Sequence, residues 1–78
     1  MYTAYVLKDK EGKFYKGMTN DLERRLREHQ SGHTFSTRNM NELQVVYQES
    51  FSTRDEARKR EVYFKSAAGR RFLKTIIK

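Results

Sequence analysis

Hydrophobic and polar positions change their period several times along the chain, and each change marks an element. In residues 2–8, Tyr-Thr-Ala-Tyr-Val-Leu-Lys, apolar groups fall on both alternating sets: Tyr2, Ala4 and Val6 on one, Tyr5 and Leu7 on the other. A strand apolar on both faces is covered on both sides, so it is expected at the centre of a sheet. Asp9-Lys10-Glu11-Gly12 reads as a turn, with Gly12 able to take positive φ. Residues 13–19 form a second strand, antiparallel to the first. With residues 8–12 as the loop, Tyr5 stands directly opposite Tyr15, and opposed residues share a face. That pair is either an ordinary aromatic cross-strand contact or part of a site. Gly17 lies inside the strand, where glycine marks a bulge or the close approach of another group, such as a ligand backbone over the sheet.

From residue 20 the period becomes helical. Asn20 suits an N-cap, Glu23 completes a capping box and Gly32 ends the segment. At about 100° per residue, Leu22, Arg25, Leu26 and His29 share one arc of about 100°, while Glu23, Arg24, Arg27 and Glu28 lie elsewhere. The leucines face the core, which holds Arg25 and His29 at its edge. Either these two do chemistry there, or Arg25 is an ion-pair partner and His29 fills a helix end. Residues 31–42 are polar and aperiodic and read as a long loop. Its Ser36, Thr37, Arg38 and Asn39 offer donors suited to phosphate, unless the loop is a plain connector.

Residues 43–51 alternate as a third strand, with Leu43, Val45 and Tyr47 on one face and Val46 on the other. A second helix starts at Thr53, with Glu56 in the reciprocal capping position. Its apolar stripe of Ala57, Phe64 and Ala68 includes Glu61. A carboxylate there is costly unless it meets a cation, a metal or strong donors. An ion pair with Arg25 or Arg60 satisfies that demand, and so does a hydrated magnesium ion, which favours a hard carboxylate. Gly69 breaks the helix, and residues 70–77 form a third, with Phe72, Leu73 and Ile76 capping the core. The whole reads as an α+β fold: a three-stranded antiparallel sheet flanked by about three helices, in the order β-β-α-β-α-α. Residues 1–78 form one domain, without repeats or a linker.

Composition changes this picture in three ways. Of 78 residues, 36% are hydrophobic and 35% charged, so the apolar surplus is small and ten Tyr and Phe residues must supply much of the core. The absence of cysteine excludes disulfides and thiolate metal sites and suits a reducing compartment. No charged-then-apolar leader and no apolar stretch of about 18 residues is present, so neither a signal peptide nor a membrane span is expected; the location expected is cytoplasmic, at the nucleoid. Net charge is +7, and residues 54–78 hold nine Lys/Arg against three Asp/Glu. A polyanion, usually nucleic acid, is the natural partner of such a surplus, with plain solubility as the alternative.

Three features combine into a resemblance. Thr3-Ala4-Tyr5 and Tyr15-Lys16-Gly17 place two tyrosines ten positions apart; Arg25 follows ten residues after Tyr15 and His29 four after that. Glu61 stands in Ala57-Arg58-Lys59-Arg60-Glu61-Val62-Tyr63-Phe64-Lys65, followed by Gly69-Arg70-Arg71-Phe72-Leu73-Lys74. In this order they resemble the GIY-YIG nuclease domain over almost the whole chain, and are similar to its small stand-alone bacterial members and to the amino-terminal domain of the UvrC repair nuclease. Thr3 stands where that family has glycine and Lys16 where isoleucine is usual, and an asparagine that some members carry near the end of the domain has no counterpart.

The resemblance implies a three-stranded antiparallel sheet flanked by helices and hydrolysis of DNA phosphodiesters with one divalent ion, Mg2+ or Mn2+. It implies Glu61 as the metal ligand, Tyr5 as the activated phenol near the attacking water, Tyr15 as its support or a phosphate contact, Arg25 on the scissile phosphate and His29 in proton transfer. Lys16, Gly17, Thr37, Arg38, Lys65 and Arg70 are the accompanying candidates for nucleic-acid contact. Because a phenol with an ordinary pKa near 10 is a weak base, Arg25, Lys16 or a metal is expected to lower it, with His29 as relay. Branched or duplex DNA, recognised by structure or without specificity, suits so small a surface, and a homodimer or a partner protein is expected to supply targeting. A non-catalytic nucleic-acid-binding module of the same fold and a small structural protein are the competing functions.

Overall fold

The computed structural model describes residues 1–32, 40 and 42–77. The expected element order is found: β1 (Tyr2–Lys8), β2 (Phe14–Thr19), α1 (Leu22–Gln30), β3 (Gln44–Phe51), α2 (Arg54–Lys65) and α3 (Ala67–Ile76). The three strands form one antiparallel sheet in the order β2-β1-β3. β1 is central because it is the strand with two apolar faces. Ala4 and Val6 pack with Phe64 and Leu73 on one side; Tyr5 and Leu7 pack with Leu43, Leu22 and Leu26 on the other. The sheet is thus sandwiched, with α1 on one face and α2 and α3 on the other.

Several local expectations are corrected. The β1–β2 loop is residues 9–13, one position later than the expected 8–12. The Asp9 carboxylate accepts from the Glu11 and Lys13 amides at 3.0 and 2.7 Å, and Asp9 N–H donates to the Lys13 carbonyl at 3.0 Å. Lys8 therefore pairs with Phe14, and Tyr5 stands opposite Gly17 rather than Tyr15. The slip is two residues, an even number, so Tyr15 keeps the same face as Tyr5. Asp21, not Asn20, caps α1: its side chain accepts from the Arg24 amide at 3.1 Å. Gly32 ends that segment as expected, at φ 81°.

In β3, a register shift opposite Val6 and Leu7 marks a bulge. Val6 pairs with Tyr47 and Leu7 with Val45, leaving Val46 over. Leu43 and Val45 join the α1-side cluster, but Tyr47 packs with Val46 under α2 and α3, so the simple alternation fails at that point. The break between the last two helices is at Ser66, not Gly69. Ser66 leaves the helical conformation and its hydroxyl accepts from the Gly69 amide at 3.1 Å, capping α3. Gly69 lies inside α3, where a Cβ would come within 1.8 Å of the Tyr63 carbonyl oxygen. The glycine is there so that two helix ends can touch. Ala68 is exposed, Ile76 is 41% exposed, and Ile77 packs on the core in its place. Thr53 caps α2 as expected, accepting from the Glu56 amide at 3.2 Å.

Candidate active site

β1, β2 and α1 bring four of the five expected catalytic side chains together on one face. Tyr5 is 1% exposed, and its hydroxyl lies 2.9 Å from Nε2 of the equally buried His29. Tyr15, half-buried on β2, packs its ring against His29 at 4.8 Å and against Tyr5 at 6.3 Å between centroids. Arg25, one turn before His29, interacts with the Tyr5 phenol and holds the Glu28 carboxylate at 3.3 Å. The helix wheel places both α1 residues at the core edge because Leu22 and Leu26 turn that face to the sheet; Arg25 is found there, half-buried, whereas His29 lies fully inside.

Gly17 explains how the Tyr5 phenol reaches this position. A Cβ on Gly17 would lie 2.7 Å from the Tyr5 hydroxyl oxygen and 3.1 Å from the Tyr15 ring. The group that approaches the glycine closely is thus the first tyrosine, not a ligand backbone. The ring of a central-strand residue crosses its cross-strand partner and carries its hydroxyl over β2, an edge strand.

Glu61 comes from the other side. It stands on α2, whose helix covers the opposite face, yet its charge still acts on the Tyr5 phenol. Its side chain is 12% exposed. Neither Arg25 nor Arg60 pairs with it, contrary to the ion-pair expectation. Oε2 accepts from Lys65 Nζ at 3.2 Å, Arg58 Nε lies 3.9 Å from Oε1, and Oε1 is buried without a hydrogen-bond partner. An orphaned carboxylate oxygen on a hard ligand is what a hydrated divalent cation would satisfy. Among the described residues no three metal-ligating side chains cluster, so such an ion would take Glu61 and otherwise water.

Electrostatics correct the expected activation of Tyr5. Burial, reinforced by Tyr15 and Glu61, raises its pKa to about 12, and the opposing Arg25 does not reverse the shift. Lys16 gives no help. It lies on the other face of β2, lining a small cavity of about 70 Å³ with Phe14, Arg70, Leu73 and Lys74. Burial, then Arg70 and Lys65, lower the Lys16 pKa. His29 is pushed down by burial and by Arg25 against a weaker pull from Glu28, which favours the neutral ring. In the tautomer with bare Nε2, it accepts the phenolic proton of Tyr5.

Of the nucleic-acid candidates, Lys16, Lys65 and Arg70 are close enough for their charges to interact. Gly17 is buried under the tyrosine. Thr37 and Arg38, with Ser36 and Asn39, lie outside the described residues. Sequence reasoning missed Glu28, the partner of Arg25, although the i,i+3 spacing signals it. It also missed Arg54 and Arg58, which share the α2 face of Glu61 at helical spacing. No helix among the described residues is long and apolar enough to cross a membrane.

Comparison with known proteins extends these observations. The family model for the GIY-YIG catalytic domain matches residues 1–74. UPF0213 protein SSP2268 of Staphylococcus saprophyticus is 38% identical over 73 residues, 92% of this chain and 89% of that protein. UPF0213 protein YazA of Bacillus subtilis is 40% identical over 62 residues; the match covers 78% of this chain but only 63% of that protein's length. The solution NMR structure of the UPF0213 protein BH0048 from Bacillus halodurans is similar in fold, with a TM-score of 0.58 and 30% identity over 96% of this chain and 84% of the other.

Proposed function

Since the chain belongs to the GIY-YIG catalytic domain family, a family of nucleases, we propose that it is a divalent-metal-dependent endonuclease hydrolysing DNA phosphodiester bonds. The observation that carries this reading is the meeting at β2. Two phenols, an imidazole and a guanidinium approach from one side, and a recessed carboxylate with an orphaned oxygen approaches from the other. A structural cluster has no need of that unsatisfied oxygen.

Glu61 would hold the ion, which when bound acidifies water and neutralises charge on the leaving oxygen. Arg25 is the half-exposed cation of the cluster and is assigned to the scissile phosphate, where it stabilises charge that builds up on the non-bridging oxygens. Tyr15 is the more accessible phenol and is assigned to the attacking water or the phosphate. Tyr5 is too buried to touch substrate in this conformation, and a pKa of about 12 keeps it a protonated hydrogen-bond donor rather than a base. Its hydroxyl donates a hydrogen bond to Nε2 of the neutral His29 and so holds that ring against Tyr15, the phenol assigned to the water. The exchange of roles between the two tyrosines relative to the family-based expectation follows from their burial.

The test is a cleavage assay on branched, nicked and plain duplex DNA with magnesium or manganese. The parent should nick or cut at least one substrate, and Glu61→Ala should lose nearly all of that activity while melting like the parent. Equal cutting by Glu61→Ala removes the metal assignment. No cutting by the parent, together with salt-sensitive binding, leaves the binding-module reading instead.

A further inference from the structure

Arg54, Arg58, Glu61 and Lys65 follow one another at spacings of four, three and four residues, so they share an arc of about 60° on α2. The ends of this row can be located against β2. Arg54 lines a cavity of about 290 Å³ with Tyr2, Met18, Thr19 and Asn20, at the far end of β2. Lys65 lies near Lys16, and Lys16 shares the smaller cavity with Phe14, Arg70 and Lys74 at the near end. α2 therefore runs antiparallel alongside the outer strand, and α3 continues the basic line. Arg58 and Lys65 are 69% and 56% exposed, whereas Glu61 between them is recessed. Lys16, Arg54, Arg70 and Lys74 have no acidic partner among the described residues.

We propose that this line, Arg54–Arg58–Lys65–Arg70–Lys74 with Lys16 beside it, is the track for one strand of duplex DNA, laid along the β2 edge so that Glu61 interrupts it at the phosphate to be cut. Six cations against one carboxylate is a polyanion's complement, and the carboxylate sits within the row, not beside it. The α2 part is about 16 Å long at about 1.5 Å per residue. One DNA strand advances about 3.4 Å per phosphate along the axis, so this part spans about five phosphates. Arg54 and Arg58 lie to one side of Glu61, the other four cations to the other. The track rests on the nuclease reading for the choice of DNA as occupant and for the cut phosphate placed at Glu61.

The test is binding to a short fluorescent DNA duplex by anisotropy, with EDTA present so that cleavage plays no part, over a range of salt. Arg54→Gln/Arg58→Gln and Arg70→Gln/Lys74→Gln should each weaken binding about tenfold or more. Each should also flatten the salt dependence by roughly one unit of log–log slope for every phosphate that is no longer neutralised. Arg24→Gln/Arg27→Gln, on the exposed side of α1, removes the same charge away from the track and should leave the affinity within about twofold. Melting curves establish that all three variants are folded. Parent-like binding by both track variants, or an equal loss in the α1 variant, overturns the track. A parent that cuts DNA while the track variants bind normally rejects the track and leaves the nuclease reading standing. Loss of binding in the track variants of a parent that never cuts does the reverse.

Discussion

Two arginine–tyrosine clusters sit on opposite faces of one sheet, and they differ in what their charges meet. Under α2 and α3, Arg60 donates two hydrogen bonds to Glu49, at 2.8 and 3.1 Å, while Tyr47 donates to the same carboxylate. The guanidinium also lies over the rings of Tyr63, Phe64 and Phe72 at 4.7 to 5.1 Å. Within this joint Arg60 and Glu49 satisfy each other, and each of the rings has a neighbour. On the α1 face, Arg25 is half-exposed and shares itself between Glu28 and a phenol, and the charge of Glu61 pushes that phenol's pKa further up. Similar residue types thus build a tightly paired structural joint on one face and, on the other, a more loosely paired arrangement that is the one proposed to be reactive. Tightness of pairing, more than residue identity, separates the two.

The sharpest way to break the comparison is to truncate each arginine. Arg25→Ala should lower the cleavage rate on the order of 10²–10³-fold and cost stability only about 0.5 kcal/mol, because its pair with Glu28 is a half-exposed i,i+3 contact. Arg60→Ala should do the opposite, costing about 2–3 kcal/mol through the stranded Glu49 and the missing cation–ring packing, with activity changing only as stability does. Urea melts beside initial-rate assays read both; parallel behaviour of the two variants would erase the distinction between the faces.

Next in size is Gly17→Ala. The new methyl group must displace the Tyr5 ring, at about 1–3 kcal/mol in stability, and should suppress cleavage beyond what that loss explains. Tyr5→Phe is milder. It removes the bond to His29 and should cost about 1 kcal/mol; in an alkaline absorbance titration the parent should show a late-ionising phenol near its raised value of about 12 that this variant lacks.

The smallest effect is a pH dependence. His29 has a folded pKa below its ordinary value, so the unfolded chain takes up a proton first. Stability that is complete above about pH 6.5 should be lost as pH falls toward the folded value. In His29→Gln, melts at pH 7.5 and 5.5 should differ less than in the parent.

The alternation of Tyr2 to Leu7 was enough to place β1 at the centre, and the leucine spacing on α1 was enough to turn Arg25 and His29 toward the sheet, though not to show that His29 is fully buried. The pairing register was not legible, because the Asp9 side chain closes the loop through backbone amides that a residue pattern does not reveal. The helix break at Ser66 was hidden by Gly69, whose presence reflects helix contact rather than a stop. Glu61 was correctly marked as a costly residue. Its partners were not foreseen, since Arg60, expected beside it, is committed to Glu49 instead. The upward shift of Tyr5 was missed because burial outweighs Arg25, and burial depends on the fold as a whole.

The bulge in β3 gives the length of that strand a meaning its composition lacks. One surplus residue lets the early half of the strand serve one core and the late half the other. Deleting Val46 would leave hydrophobicity nearly unchanged, yet it would force one half to point its side chains the wrong way. Insertions and deletions within residues 43–51 should therefore be far less tolerated than substitutions, so drift here is confined to changes that keep the count of residues.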